Sequence, residues 1–162
     1  LKVDLVKPLD ISIPVKGLGT NVNAWYIGPP KIAPEVFDGD TISVKKGASV
    51  NFNTITFNPH SHGTHTETAG HITEEVHSIN KNLKQFFFLA EVITVAPEKL
   101  GEDSVISAKQ LQFAIGNKKR DAIVVRTIPN TNEKKTRQYS HTNWTYFQED
   151  AIKLLVRKGV RH

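Results

Sequence analysis

A mixed α/β fold is predicted by three features of the sequence. Apolar residues alternate through much of the first half, a capped amphipathic helix follows residue 105, and β-branched runs stand on either side of that helix. Strand, helix, strand, loop and helix in that order do not suit a β-sandwich. At 162 residues the chain suits one domain with a real core.

From the N-terminus, Asp10 to Val15 alternates and reads as a strand. A loop rich in Gly, Asn and Pro follows, carrying Trp25, Tyr26 and Pro29-Pro30. Aromatics there either cap the core or form one wall of a pocket. Thr41 to Val44 and Ala48 to Phe57 make two strands around a turn at Lys45 to Gly47. Thr73 to Leu83 is polar and reads as a helical or irregular turn. Phe86 to Val95, ended by Pro97, reads as a buried strand, with Val92, Ile93 and Val95 in a β-branched pattern.

Ser107 and Gln110 have the spacing of a capping box; Leu111, Ala114 and Ile115 then share one helical face, and Gly116 stands where a helix stops. Asp121 to Ile128 is a near-continuous apolar strand. Pro129 to Thr145 is a polar loop of a length usually kept for binding or catalysis. A last helix, from about Tyr146 to Lys158, places Phe147, Ala151, Leu154 and Leu155 at spacings of three and four, and ends at Gly159. Val160 to His162 would begin a further strand. The lack of any methionine, even at position 1, adds to the expectation that the chain is part of something longer.

Hydrophobic content of 38% with 23% charged residues is that of a soluble globular protein, and the longest apolar run, Phe86 to Ala90, is strand-sized. Charges interrupt the N-terminal apolar residues, so this stretch does not read as an intact signal peptide and a cytoplasmic location is expected. With no cysteine there are no disulfides and no thiolate metal ligands. The net charge of +5 draws on two runs, Lys118 to Arg120 and Lys134-Lys135. Both adjoin turn residues and lack interleaved aromatics, so they read as solvated faces and not as a nucleic-acid surface.

The chemistry concentrates in one place. Five of the seven histidines lie between Asn58 and Asn80, in a stretch that runs His60-Ser61-His62-Gly63-Thr64-His65-Thr66-Glu67-Thr68-Ala69-Gly70-His71. Neutral imidazoles and a carboxylate packed this closely are a ligand set for a divalent zinc or manganese ion. If the preceding strand continues through the motif, His65 and Glu67 share a face. Gly63 then bends or bulges to bring His60 or His62 onto the same metal, with His60 preferred and His62 turned to the opposite face. His77, His141 and His162 have no spaced partner and read as ordinary surface or core residues.

This stretch resembles the signature of the cyclase family of metal-dependent hydrolases, which includes bacterial kynurenine formamidases and isatin hydrolases: His-x-Gly-Thr-His-x-Asp-x-Pro-x-His. Gly63-Thr64-His65 matches its centre and His71 its last histidine. Glu67 stands in place of Asp, Ala69 in place of Pro, and Ser61 where the first His belongs, flanked by His60 and His62. The context from Phe57 to Ile72 and from Leu83 to Pro97 looks like a bacterial subgroup of that family.

The resemblance implies a barrel-like mixed β-sheet of the swivelling β/β/α type with flanking helices. It also implies hydrolysis of a small-molecule amide, formamide or cyclic amide, and a homo-oligomer without nucleic-acid or membrane partners. Family members continue into a segment that supplies a further His and Glu, so the metal centre here is expected to be incomplete. Metal ligands are then drawn from His60, His62, His65 and Glu67, and His71 is the catalytic residue that moves a proton, the role the family typically gives its last histidine. A rival reading is a cupin, since His60, His62 and Glu67 fit a His-x-His-x4-Glu core. That pattern also wants Gly where Thr54 and Glu74 stand, and a jelly roll would not hold two helices after residue 105.

Overall fold

The alternating run before the histidines pairs as an antiparallel ladder, β1 (Lys31–Pro34) against β4 (Asn53–Thr56), with Ile32 opposite Ile55. Between them β2 (Val36–Phe37) and β3 (Asp40–Thr41) form a tight hairpin. Its two-residue loop, Asp38-Gly39, has φ of 49° and 91°, the left-handed pair that matches strand twist and that Asp-Gly tolerates well. The computed structural model describes residues 2–17 and 19–162. By contact the chain divides into two units, Leu1–His65 with Glu133–Ser140, and Thr66–Asn132 with His141–His162.

In the first unit the expected strand from Asp10 to Val15 is absent, and those residues are exposed without regular structure. Alternation supplies a face but no partner, and here the chain turns on itself: the Ser12 N–H donates to the Asp10 carboxylate at 2.9 Å, a local Asx bond that competes with a ladder. That bond holds the Asp10 carboxyl below its ordinary pKa. The expected strand at Thr41 to Val44 is cut short, because Val44–Lys46 forms a 3-10 turn instead. Trp25 and Tyr26 are exposed, both at positive φ, so they do not cap the core. Part of the long polar loop belongs to this unit, where Asn23 bridges to Gln138 and the Tyr139 N–H donates to the Asn23 carbonyl at 2.7 Å.

The second unit is layered. β5 (Ala90–Val95) and β8 (Ala122–Thr127) run parallel, and α3 (Ala108–Ile115) packs against them. Two short helical turns precede this layer, α1 (Pro59–His62) in the first unit and α2 (Ile79–Asn82) here. Ile93 and Val95 enter the core with Leu111, Ile115, Ile106 and Ala151, while Val92, one residue out of phase, is 65% exposed. The capping box forms as its spacing predicts: the Gln110 N–H donates to Ser107 Oγ at 3.3 Å and the Ser107 N–H to Gln110 Oε1 at 3.2 Å.

β6 (Glu98–Leu100) and β7 (Asp103–Ile106) make a hairpin, and β9 (Tyr146–Phe147) joins β7 in parallel. The edge of β7 thus captures two residues expected to be helical, and α4 begins only at Glu149, running to Arg157. Phe86 and Phe87, expected in a buried strand, are 71% and 74% exposed and lie before β5 begins. The His162 N–H donates to the Asp121 carbonyl at 3.1 Å, and the Ile123 N–H to the His162 carbonyl at 3.0 Å. That is the bonding pattern of a parallel pair alongside β8.

The fold is therefore mixed α/β, but the barrel-like sheet is not found. Strands group as three two-stranded sheets and one of three strands among the described residues. A barrel needs one ladder whose last strand returns to its first, and here the ladders are short and separate. No helix among the described residues is long and apolar enough to cross a membrane.

Candidate metal centre

Extended geometry stops at Thr56, ahead of the histidines, and the reason lies in Asn58-Pro59. Proline at the first helical position has its φ pre-set and needs no partner for an N–H, while the Asn58 side chain accepts the His60 N–H at 2.9 Å. The single turn α1 results. His60 and His62 are thereby placed by a helical turn, and Gly63 is plain extended backbone (φ −174°) rather than the bulge the spacing suggested.

His62 is 5% exposed, with both ring nitrogens engaged. Nδ1 accepts the Asn58 backbone N–H at 2.9 Å, which requires the proton on Nε2, and Nε2 donates to the Gly28 carbonyl, also at 2.9 Å. The Asn21 amide reaches the His62 carbonyl at 3.5 Å. The ring thus clamps the turn onto the loop before β1. Neighbouring Ser61 is buried too, and its hydroxyl has no partner among the described residues.

His60 takes another course. It is exposed, and its ring meets that of His65 edge-on, with centroids 4.6 Å apart and planes at 81°. His65 Nδ1 lies 3.0 Å from the Gly63 carbonyl oxygen. A carbonyl can only accept, so in this contact Nδ1 carries the proton and Nε2 is the ring nitrogen with ligand character. His60, His65 and Glu67 each offer a donor atom, all within 4.8 Å of one another. The three belong to one continuous segment, residues 60–67.

That set fits a divalent ion. Donors held tetrahedrally at about 2.1 Å from zinc stand roughly 3.4 Å apart, so modest rotation of exposed side chains closes the remainder. Three protein ligands also leave a coordination position open, as catalytic sites do and closed structural sites do not.

His71 ends a 3-10 turn, Ala69–His71, with Nδ1 3.4 Å from Glu67 Oε1, and its side chain is half exposed. The turn is tied down by Thr68 Oγ1 donating to the His77 carbonyl and by Thr73 Oγ1 donating to the Ala69 carbonyl at 3.1 Å. Gly70 is required by close approach: a Cβ there would stand 2.9 Å from the His77 nitrogen. Of the sequence-derived site residues, His60, His65 and Glu67 come together, His71 sits against Glu67, and the His62 ring nitrogens are engaged instead by Asn58 and Gly28. Sequence reasoning missed Asn58 and Gly28, which hold His62. The Asn-Pro pair just ahead of a polar turn was the available signal for the first.

A family model described as "Putative cyclase" matches residues 3–162 of the chain. No curated protein and no solved structure matches it.

Proposed function

The chain belongs to the cyclase family, and from that premise we propose that it is a metal-dependent hydrolase of an amide, formamide or cyclic amide bond. The observation that carries this reading is the donor set His60, His65 and Glu67, within 4.8 Å of one another on the segment that holds the family's signature. These three residues would hold a zinc or manganese ion. When bound, such an ion lowers the pKa of water to about 7 and polarises a carbonyl oxygen.

Around a divalent ion, two neutral imidazoles and one carboxylate would leave a net positive centre, which suits a carbonyl substrate. The Glu67 carboxylate beside His71 Nδ1 orients that imidazole, and His71 carries the proton from water towards the leaving nitrogen. A small-molecule amide is the substrate and a homo-oligomer the assembly. The cupin alternative requires His60 and His62 on one ion, whereas Asn58 and Gly28 already engage both nitrogens of His62.

Elemental analysis paired with a panel of amides, formamides and lactams tests the proposal. Replacing His65 or Glu67 by Ala should abolish stoichiometric metal in a chain that still folds; undiminished metal in both variants would end it. His71→Asn should keep the metal and lose on the order of 10²-fold in turnover. Metal lost together with activity would make His71 a ligand.

A further inference from the structure

Away from the histidines, the second unit contains an open cavity of about 270 Å³ lined by Leu89, Lys119, Arg120, Asp121, Lys158 and Gly159. Its charges do not balance. Glu91 is shared by two cations, Lys118 Nζ at 2.5 Å and Arg120 Nε at 3.2 Å, and Asp121 is paired with Arg161 Nη2 at 3.3 Å. The hydrogen bond from Lys118, assisted by the charges of both cations, keeps the Glu91 carboxyl below its ordinary pKa and therefore ionised at neutral pH.

Three cations, Lys118, Arg120 and Arg161, are thus set against two carboxylates before Lys119 and Lys158, the two lysines that line the cavity, are considered. The Lys158 ammonium donates to the Gly116 carbonyl at 2.7 Å, a neutral acceptor that fixes its position without cancelling its charge. Partly buried at the end of α4, Lys158 is held by the carbonyl that closes α3. Lys119 has no carboxylate partner among the described residues. A solvated lysine run, as the sequence alone suggests for residues 118 to 120, needs no recess. Here Lys119 and Arg120 of that run line a cavity that the anchored Lys158 also lines.

We propose that this cavity binds a phosphoryl group, held between Lys119, Lys158 and Nη2 of Arg120, whose Nε is engaged by Glu91 and whose Nη1 donates to the Lys119 carbonyl at 2.9 Å. A dianion matches the surplus positive charge, and charge-assisted hydrogen bonds from lysine and arginine supply its recognition. At about 270 Å³ the space takes an anion or a small ester rather than a large ligand. Leu89 offers the single apolar contact, which favours an ester with an organic group over free phosphate. This site is separate from the metal reading and does not depend on it.

The test is a titration of the full chain, read from backbone amide shifts of Lys119, Arg120 and Gly159, with inorganic phosphate and phenyl phosphate as probes and sodium chloride at matched ionic strength as control. Saturable shifts are expected with phenyl phosphate, while chloride alone leaves those amides unsaturated. Lys119→Gln should weaken binding about tenfold, the order expected for one charge-assisted hydrogen bond, without altering the fold. Lys158→Gln should do the same, and if losing the Gly116 contact unfolds that variant, Lys119→Gln alone decides. Phenyl phosphate binding more tightly than phosphate supports an ester, and equal affinities support the bare anion. Shifts that never saturate, that chloride reproduces, or that Lys119→Gln leaves unchanged would overturn the proposal.

Discussion

The layer built on α3 and the turn that carries His60 and His62 are held by different physics. In the layer, Leu111, Ile115, Ile93 and Val95 are buried against one another, and the backbone bonds are satisfied by helix and ladder. In the turn, buried side chains are polar and almost every tie is one side chain to one backbone group: Asn58 to His60, His62 to Asn58 and Gly28. Burial of apolar area is non-directional and tolerates small shifts, whereas the second kind of contact fixes single atoms. The difference teaches where each kind belongs. Candidate ligands that stay exposed need something else in their own segment to position the backbone, and His62 with Asn58 does that for His60.

The contrast breaks first in the core. Leu111→Ala should destabilise the chain by about 3 kcal/mol, within the range for emptying a fully buried leucine, as read by urea unfolding. Metal bound per folded molecule should not change. Metal lost in step with stability would show that the two regions are not independent.

A paired substitution in the turn sharpens the contrast. His62→Ala empties a buried side-chain position and takes the acceptor from the Asn58 N–H and the donor from the Gly28 carbonyl, and should cost about 2 kcal/mol, with metal binding weakened only through the loosened turn. His60→Ala should leave stability within about 0.5 kcal/mol and reduce metal affinity directly, as expected for an exposed side chain. The reverse pattern would put His62 on the metal.

Smaller effects probe the helix start. Ser107→Ala should cost about 1 kcal/mol by opening the capping box, visible in thermal unfolding and accompanied by faster amide exchange at Gln110. No change in either would mean that packing alone holds the first turn of α3.

The smallest effect concerns Glu91, where only a direction is expected. Its folded pKa lies below the ordinary value because of Lys118 and then Arg120, so its contribution is complete above the unfolded carboxylate pKa and disappears as pH falls through the folded one. Glu91→Gln should be less stable than the parent at pH 7, and the gap should close on acidification. A gap that persists at pH 2 would trace to side-chain packing and not to charge.

The cores of β5, α3, β8 and α4 are readable in the sequence because each rests on local rules. A capping box, a run of β-branched residues and spacings of three and four need no knowledge of distant neighbours. Failures cluster where a partner decides. Asp10 to Val15 alternates but finds no strand, Tyr146-Phe147 is drawn to β7 before its helix can extend, and Phe86-Phe87 stays outside the ladder that begins at Ala90.

For the site, residue types alone pointed to a segment that could hold a metal ion, since imidazoles and a carboxylate within so few residues suit that shared chemistry. Which histidine joins His65 and Glu67 depended on whether the chain stays extended past Thr56. The helical turn at Asn58-Pro59 settles the backbone, and the Gly28 carbonyl, distant in sequence, takes His62 out of the group. Ligand chemistry belongs to side chains and is written in the sequence; the direction of the His62 ring is set by a contact across 34 positions, which only the folded chain brings together.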